Sequence, residues 1–165
     1  MKEIVIAGGC FWGVEAYYAK LKGIYLTEVG YANGHIQNPT YHQVKKGDTN
    51  FCEVVKLQYN ENQISLEKIF EHLFRFIDPT SLNKQGEDEG TQYRTGIYYV
   101  NDEDQDIALS YITKRQVEYE EPIVVEVKKL DNYYSAEEYH QKYLVKNPTG
   151  YCHVNFGLIK PEELK

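Results

Sequence analysis

A short apolar run that breaks at two glycines constrains this chain more than any other feature. Residues 4–7 (Ile-Val-Ile-Ala) are apolar and mostly β-branched, which is typical of a buried strand. Residues 8–13 follow as Gly-Gly-Cys-Phe-Trp-Gly, and glycine permits the sharp exit from a strand that other residues resist. Apolar side chains then recur at helical spacing, at Phe11, Val14, Tyr18 and Leu21. The pattern predicts a strand–turn–helix unit with Cys10 at or just before the start of the helix.

The predicted position of Cys10 favours a reactive thiol. Unpaired N–H groups and the helix dipole stabilise an anion at a helix N-terminus. Such a position is expected to lower the pKa of the thiol below its ordinary value of about 8.5. A small, inert, buried cysteine at a tight turn is the alternative. The adjacent glycine and the aromatic pair Phe11 and Trp12 make a reactive thiolate at least as consistent with the sequence as an inert cysteine.

Length and charge limit the class of protein. The 165 residues suggest one domain, residues 1–165, with a core large enough to fold alone. Eighteen Lys and Arg against 25 Asp and Glu give a net charge of −7, which argues against nucleic acid or an anionic membrane as a partner. No segment has the length and apolarity of a membrane span, and no signal-like run precedes Cys10. A reducing, cytoplasmic setting is therefore expected.

The three cysteines are widely spaced, at Cys10, Cys52 and Cys152. An odd number at this spacing is not the pattern of a disulfide-stapled secreted domain. Cys152 is followed by His153, with His140 upstream, but structural zinc sites have close pairs such as C-x2-C, and the chain has none. No phosphate-binding glycine loop is present either. We therefore expect neither a metal nor a cofactor.

The order of elements predicts an α+β domain. Strands are expected near residues 3–7, 25–31, 53–59, 97–100 and 123–127. Helices are expected near residues 12–22, 65–78, 102–119 and 135–144, with Ser65 and Asp102 as N-caps. This β-α-β-β-α-β order indicates a mixed or antiparallel sheet with helices on one face. Two long loops (33–50 and 80–93) and an irregular tail from residue 147 complete the chain.

The loops and the tail carry polar residues suited to chemistry. Glu53 starts a strand with apolar neighbours, and burial there would raise its pKa and suit it for general-acid work, whereas a solvated carboxylate is the alternative. Residues 90–94 (Gly-Thr-Gln-Tyr-Arg) fix a tyrosine hydroxyl at a loop–strand junction. Cys152 lies on an irregular tail and can pair with Cys10 if the tail folds over the turn. A Cys-His hydrolase remains an alternative, with Cys10 as nucleophile and a histidine as base: His35, His42 or His140.

Blocks along nearly the whole chain resemble one known family. The first is residues 9–13 (Gly-Cys-Phe-Trp-Gly) with Glu15. The others, in order, are residues 29–32, 38–41, 47–49, 52–55, 85–86, 88, 90–94, 140–141, 143–144, 147–148 and 150–152. Together these blocks are highly specific, and the chain resembles the peptide-methionine (S)-S-oxide reductases, the A-type methionine sulfoxide reductases.

The resemblance implies roles for the turn and for the tail. Cys10 would attack the sulfoxide sulfur, while Phe11 and Trp12 would hold the S-methyl group of the substrate, with which aromatic rings make favourable contacts. Methionine would leave, and Cys10 would become a sulfenic acid that condenses with Cys152 to a disulfide. Thioredoxin or a similar dithiol would then reduce this disulfide.

The resemblance also implies a polar wall for the sulfoxide oxygen. Tyr41, Glu53 and Tyr93 would bind the oxygen, with Glu53 as proton donor, and Asp88 would organise this wall through water or backbone N–H groups. Opposed polar and apolar walls would select the S epimer of methionine sulfoxide, protein-bound or free, for repair. The implied fold is a two-layer α/β sandwich of ferredoxin-like type. A redox-regulated module that binds sulfoxide-containing peptides without turnover is the alternative function.

The chain departs from the family pattern beside the proposed acid. Residues 50–52 are Asn-Phe-Cys where the family often has Gly-His-Ala. Cys52 directly precedes Glu53, and strand alternation predicts that it points to the opposite face of the sheet. No cysteine follows Cys152, so we expect no relay through a third cysteine in the tail.

Overall fold

A computed structural model describes residues 1–165, with eight strands and five α-helices. The strands are β1 (Lys2–Gly8), β2 (Ile24–Ala32), β3 (Cys52–Tyr59), β4 (Lys84–Gln85), β5 (Asp88–Glu89), β6 (Thr95–Tyr99), β7 (Glu126–Lys129) and β8 (Tyr133–Ser135). The α-helices are α1 (Phe11–Ala19), α2 (Tyr41–Lys45), α3 (Leu66–Phe76), α4 (Glu103–Gln116) and α5 (Tyr143–Lys146). None of these helices has the length and apolarity needed to cross a membrane.

Six of the strands form one mixed sheet in the order β7-β6-β1-β3-β2-β8. Neighbouring strands pair antiparallel except β6 and β7, which are parallel. Strands β4 and β5 form a separate two-stranded hairpin. The mixed α/β architecture expected from the sequence is therefore observed.

The sheet is buried on both faces at its centre. Ile4 and Ile6 of β1 join the main core, to which α1, α3 and α4 contribute. Val5 and Ala7 point the other way, into a smaller cluster that includes Cys52. Because both faces of β1 are covered, residues 4–7 are continuously apolar instead of alternating.

The helix starts follow local sequence signals to different degrees. The Ser65 hydroxyl accepts a hydrogen bond from the Lys68 amide and caps α3, as predicted. Asp102 precedes α4, but its side chain makes no capping bond. Helix α2 lies inside the region expected to be a loop. Its start is a capping box in which Thr40 and Gln43 exchange hydrogen bonds of 2.9 and 3.3 Å.

Two predictions near the C-terminus are wrong. The strand expected at 123–127 is β7, which starts at Glu126 because it pairs in register with Gly96 of β6. The helix expected at 135–144 is replaced by β8, a single 3-10 turn (Glu138–His140) and α5. Lys142 has a φ of 54°, and its amide donates to the Glu15 carboxylate at 2.8 Å, so a tertiary contact interrupts the helical path. Beyond α5 the chain forms two 3-10 turns, Phe156–Leu158 and Pro161–Glu163, and a single antiparallel bridge between Leu164 and Leu21.

Candidate functional site

Cys10 lies where β1 ends and α1 begins, as the sequence predicts. It is the N-cap residue of α1, and its side chain is buried. Gly9 before it has a φ of +93°, a conformation that L side chains rarely adopt. A Cβ at Gly9 would also lie 2.9 Å from Gln85 and 3.0 Å from His153. The glycine therefore lets the tail and the β4–β5 hairpin approach the turn.

The prediction of a lowered thiol pKa is wrong. Burial raises the pKa of Cys10 far above its ordinary value, and the nearby Glu53 carboxyl raises it further. The Trp12 amide at the helix start lowers this pKa, but its effect is smaller. Cys10 is therefore a neutral thiol at neutral pH.

Glu53 lies at the start of β3 and is 2% exposed. Its Oε1 accepts a hydrogen bond from the Phe11 amide at 3.2 Å. Burial and, to a smaller extent, the charge of Asp88 raise the pKa of Glu53 to about 8, against the opposing effect of the Phe11 bond. The carboxyl is consequently protonated at neutral pH, the state that a general acid requires.

Two tyrosine hydroxyls lie close to each other beside Glu53. Tyr41 is the first residue of α2, and Tyr93 ends the 3-10 turn Thr91–Tyr93. Burial and the Glu53 charge raise the pKa of Tyr41 to about 12, although a hydrogen bond with Tyr93 lowers it slightly. The same two causes raise the pKa of Tyr93. Both hydroxyls therefore keep their protons and can donate hydrogen bonds.

Asp88 lies in β5, at the rim of this group. Its Oδ2 accepts a hydrogen bond from the Tyr151 hydroxyl at 2.8 Å, a partner that the sequence did not suggest. Its charge raises the pKa values of Cys10, Glu53 and Tyr93. Asp88 therefore favours the protonated state of each of these three groups.

The two aromatic residues of the turn have different surroundings. Phe11 is 1% exposed and packs against Tyr31 and His140, with ring centroids 5.7 and 5.3 Å away. Trp12 is partly buried and stacks on Tyr143 at 3.7 Å. Its Nε1 donates to Nδ1 of His140 at 3.0 Å. Trp12 therefore offers more surface to a ligand than Phe11 does.

From the sequence, His140 was expected to act at this site only as one of three alternative bases of a hydrolase. The residue is 1% exposed, and burial lowers its pKa, so it is neutral. Because Nδ1 accepts from Trp12, the ring proton is on Nε2, which has no partner. Glu137 is a second omission: it accepts bonds from the Tyr31 hydroxyl and the Tyr41 amide, at 2.8 and 2.9 Å. The only sequence signal for His140 was its place in the block at residues 140–141.

Cys152 lies on the other side of the helix start. Its sulfur would be 2.8 Å from a Cβ at Gly13, three residues after Cys10. All three cysteines are free thiols. Cys52 is completely buried, and it points to the face of the sheet opposite Val55, as strand alternation predicted. It therefore lies away from the other two sulfurs.

A groove of about 460 Å³ lies between α1 and the tail. Trp12 and Cys152 line it, together with apolar residues such as Ala16, Pro148 and Phe156, whereas Cys10 does not. Cys152 therefore borders a groove that does not include Cys10. No group of three or more His, Cys, Asp or Glu side chains is arranged to hold a metal ion.

Known proteins are similar to this chain in sequence and in architecture. The chain is 52% identical over 160 residues to the peptide methionine sulfoxide reductase MsrA of Clostridium acetobutylicum, which covers 97% of this chain and 99% of that protein. The crystal structure of reduced Mxr1 from Saccharomyces cerevisiae superposes with a TM-score of 0.88, at 40% identity over 93% of this chain and 91% of that one. Mxr1 in complex with Trx2 superposes with a TM-score of 0.62, at 29% identity over 86% of this chain and 84% of that one.

The family assignment rests on the sequence as a whole. Residues 2–164 match the family model described as peptide methionine sulfoxide reductase. That match spans every residue of the site described above. The chain therefore belongs to the peptide methionine sulfoxide reductase family.

Proposed function

We propose that this chain reduces the S epimer of methionine sulfoxide to methionine, with Cys10 as nucleophile and Glu53 as proton donor. One observation carries the proposal: a buried thiol and a buried carboxyl with a pKa of about 8 lie together at the start of α1. A sulfoxide oxygen leaves only when it is protonated, so a thiol alone is not sufficient. Glu53 holds the required proton at neutral pH.

The chemical step balances without an external proton. Glu53 gives its proton to the sulfoxide oxygen as the sulfur of Cys10 attacks the substrate sulfur. The attack forms an S–S bond between Cys10 and the substrate. This bond and the S–O bond of the substrate then break as the hydroxyl passes to the sulfur of Cys10, where a new S–O bond forms. The substrate sulfur gains the two electrons that Cys10 loses, and the thiol proton returns the carboxyl to its starting state. One thiol and one sulfoxide thus give one methionine and one Cys10 sulfenic acid.

Tyr41 and Tyr93 are proposed to bind the sulfoxide oxygen. Their raised pKa values keep both hydroxyls neutral, so they donate hydrogen bonds to the negative charge that develops on the oxygen. Asp88 acts on the same wall through its charge, which favours the protonated form of Glu53. These donors stabilise the transition state more than the bound substrate.

Trp12 and Phe11 are proposed to face the S-methyl group. Phe11 exposes 1% of its surface, so Trp12 supplies most of the contact and Phe11 supports it from the core. Exchange of oxygen and methyl in the R epimer would place an unpaired oxygen against these rings. That penalty accounts for the proposed selectivity.

Recycling is proposed to use Cys152. Its thiol condenses with the Cys10 sulfenic acid, which gives a disulfide and one water. A dithiol of the thioredoxin type then exchanges with this disulfide and restores both thiols. The position of Cys152 beside Gly13 supports this step, as does the complex of the related Mxr1 with Trx2. The substrate is methionine sulfoxide, either free or within proteins.

The architecture is proposed to be one domain of ferredoxin-like type spanning residues 1–165. The four central strands support this classification, because their order β6-β1-β3-β2 and antiparallel pairing agree with a β-α-β-β-α-β chain path. A single main core of 30 buried residues supports the assignment to one domain.

The hydrolase alternative is disfavoured by the histidines. His140 accepts the Trp12 N–H through Nδ1, whereas His35 and His42, the other two candidate bases, are exposed and make no bond to the buried Cys10. The raised pKa of Cys10 is also opposite to that of a thiolate paired with an imidazolium. A module that only binds sulfoxides, without turnover, requires neither a proton donor nor a nucleophile, whereas this site places the protonated Glu53 carboxyl next to the Cys10 thiol.

An epimer-resolved assay tests the proposal. Blocked S and R methionine sulfoxide are incubated separately with the protein and dithiothreitol, and methionine is quantified. We expect turnover of the S epimer only, and none in Cys10→Ser. Turnover of the R epimer, or activity that survives in Cys10→Ser, would contradict the proposed function.

A further inference from the structure

The segment that carries Cys152 is attached to the rest of the protein mainly through side chains. We call residues 143–157 the recycling segment. The backbone hydrogen bonds of this segment are local, such as Asn147 to Tyr143 and Gly150 to Asn147, and none joins it to the sheet or to the long helices. The Tyr151 hydroxyl and the His153 ring make its polar contacts with the site. Contacts of this kind can be released without opening a strand ladder.

The N-terminal end of the recycling segment is firmly anchored. The buried Glu15 carboxylate accepts bonds from the Lys142 amide and ammonium group, at 2.8 and 3.0 Å, and from the Thr27 hydroxyl at 2.9 Å. The side chain of Gln141 pairs with both backbone groups of Val29, at 2.9 and 3.0 Å. Residues 141–142 are thereby fixed to α1 and β2.

The C-terminal end is anchored as well. The Glu163 carboxylate receives two bonds from the Arg75 guanidinium of α3, at 2.7 and 2.9 Å, and the Lys68 ammonium lies 3.2 Å away. Arg75 also donates to the Leu158 carbonyl at 3.1 Å. The Glu163 carbonyl accepts from the Lys22 amide at 2.9 Å. These bonds lower the pKa of Glu163, so the carboxylate is charged over the whole neutral range.

Cys152 lies near the middle of the resulting closed loop, ten residues after Lys142 and eleven before Glu163. Its sulfur contacts the position of Gly13, and side chains three residues apart on a helix have Cβ atoms about 5–6 Å apart. A disulfide needs Cβ atoms about 3.5–4.5 Å apart. The fixed ends confine the movement of the segment and so keep Cys152 beside the start of α1, where Cys10 lies.

We propose that Glu163 and Arg75 are positioning residues for the recycling step. Backbone bonds join residues 163 and 165 to residues 22 and 20, and the Arg75–Glu163 pair adds the tie of this end to α3. The tie restrains the segment and so raises the effective concentration of the Cys152 thiol at Cys10. A segment without this tie to α3 would let Cys152 explore a larger volume, and its effective concentration would fall. This inference rests on the proposed recycling role of Cys152. It assigns Glu163 and Arg75 no part in sulfoxide reduction.

The test separates the two chemical steps in a single turnover without reductant. Glu163→Ala is compared with Glu162→Ala, an exposed neighbour with no polar contact that carries the same charge. Rapid quenching measures methionine formation, and mass spectrometry measures the Cys10–Cys152 disulfide at each time point. In Glu163→Ala we expect methionine formation within about twofold of wild type and disulfide formation slower by roughly 3- to 30-fold. Glu162→Ala should match the wild type in both steps.

Two further variants keep the inference testable if Glu163→Ala folds poorly. Glu163→Gln retains one acceptor oxygen and should give an intermediate rate of disulfide formation. Arg75→Lys keeps the charge but loses the paired geometry, so it should slow the same step. Disulfide formation at the wild-type rate in these variants would overturn the inference, as would an equal fall in both steps. If the wild type itself forms no Cys10–Cys152 disulfide, the proposed recycling function fails instead.

Discussion

The sulfur of Cys152 occupies the space where a side chain of Gly13 would begin. A Cβ at residue 13 would lie 2.8 Å from this sulfur and 3.0 Å from Val154. Gly13, the last glycine of the run at residues 8–13, therefore allows the tail to pack against the start of α1, next to Cys10. The turn at residues 8–13 and the distant Cys152 can pack this closely because residue 13 has no side chain.

Gly13→Ala should separate the two steps of the reaction. The new methyl group overpacks the contact with Cys152 and Val154, at a cost of about 1–3 kcal/mol. We expect disulfide formation to slow by roughly tenfold, because each 1.4 kcal/mol corresponds to about that factor. Methionine formation in a single turnover should be retained. The same substitution in a Cys152→Ser background controls for damage to Cys10, and a large loss of methionine formation there would contradict this explanation.

The reductase step should slow as the pH rises through about 8, where Glu53 loses its proton. A raised carboxyl pKa means that the acid form persists at neutral pH and disappears only above that value. Glu53→Gln cannot donate a proton, so it should lower the rate by on the order of 10²–10⁴ and remove this pH limb. Single-turnover methionine formation across the pH range provides the measurement. An unchanged rate or the same limb in Glu53→Gln would exclude the acid role.

Loss of either hydroxyl from the polar wall should reduce transition-state binding. Removal of one donor to a developing oxyanion costs on the order of 10²–10³ in rate where few donors remain. Tyr41 and Tyr93 lie together beside Glu53, so we expect about tenfold for each Phe substitution and about a hundredfold or more for both. Tyr25→Phe, at a site that is 71% exposed, is the matched control. If all these variants had the kcat/KM of the wild type, Tyr41 and Tyr93 would have no role in binding the sulfoxide oxygen.

Cys52 should have no part in either step. It is completely buried in the cluster on the opposite face of the sheet, and its sulfur lies 3.3 Å from the Arg94 carbonyl. Cys52→Ala should keep thioredoxin-coupled turnover within about twofold and lower the free energy of unfolding by about 1 kcal/mol. Loss of turnover without loss of stability would place Cys52 in the recycling path.

Local sequence signals predicted the elements that local bonds determine. The strand–turn–helix around Cys10 and the Ser65 cap both appear in the structure, because glycine, β-branched residues and hydroxyl caps act over a few residues. Helix α2 was missed although Thr40 and Gln43 carry a capping-box pattern. The helix expected at 135–144 was wrong because the bonds of Gln141 to β2 and of Lys142 to Glu15 in α1 override local propensity.

The raised pKa of Glu53 was predictable from its buried strand position, whereas the raised pKa of Cys10 was not. Family resemblance named Cys10 and Glu53, and the structure brings them together. The direction of the Cys10 pKa shift was wrong because a helix terminus is a local effect, whereas burial and the Glu53 charge depend on residues about forty positions away. The bond between Trp12 and His140 joins residues 128 positions apart, and no local pattern could reveal it.

In the proposed reaction, one methionine is formed as the two thiols Cys10 and Cys152 are oxidised to a disulfide. The most direct measurement is a single turnover of the wild type with the S epimer and no reductant, followed by thiol counting and peptide mapping. We expect one methionine per chain, a Cys10–Cys152 disulfide, and Cys52 as the only remaining free thiol. Methionine formed while Cys10 stays a free thiol, or a disulfide that involves Cys52, would contradict the account.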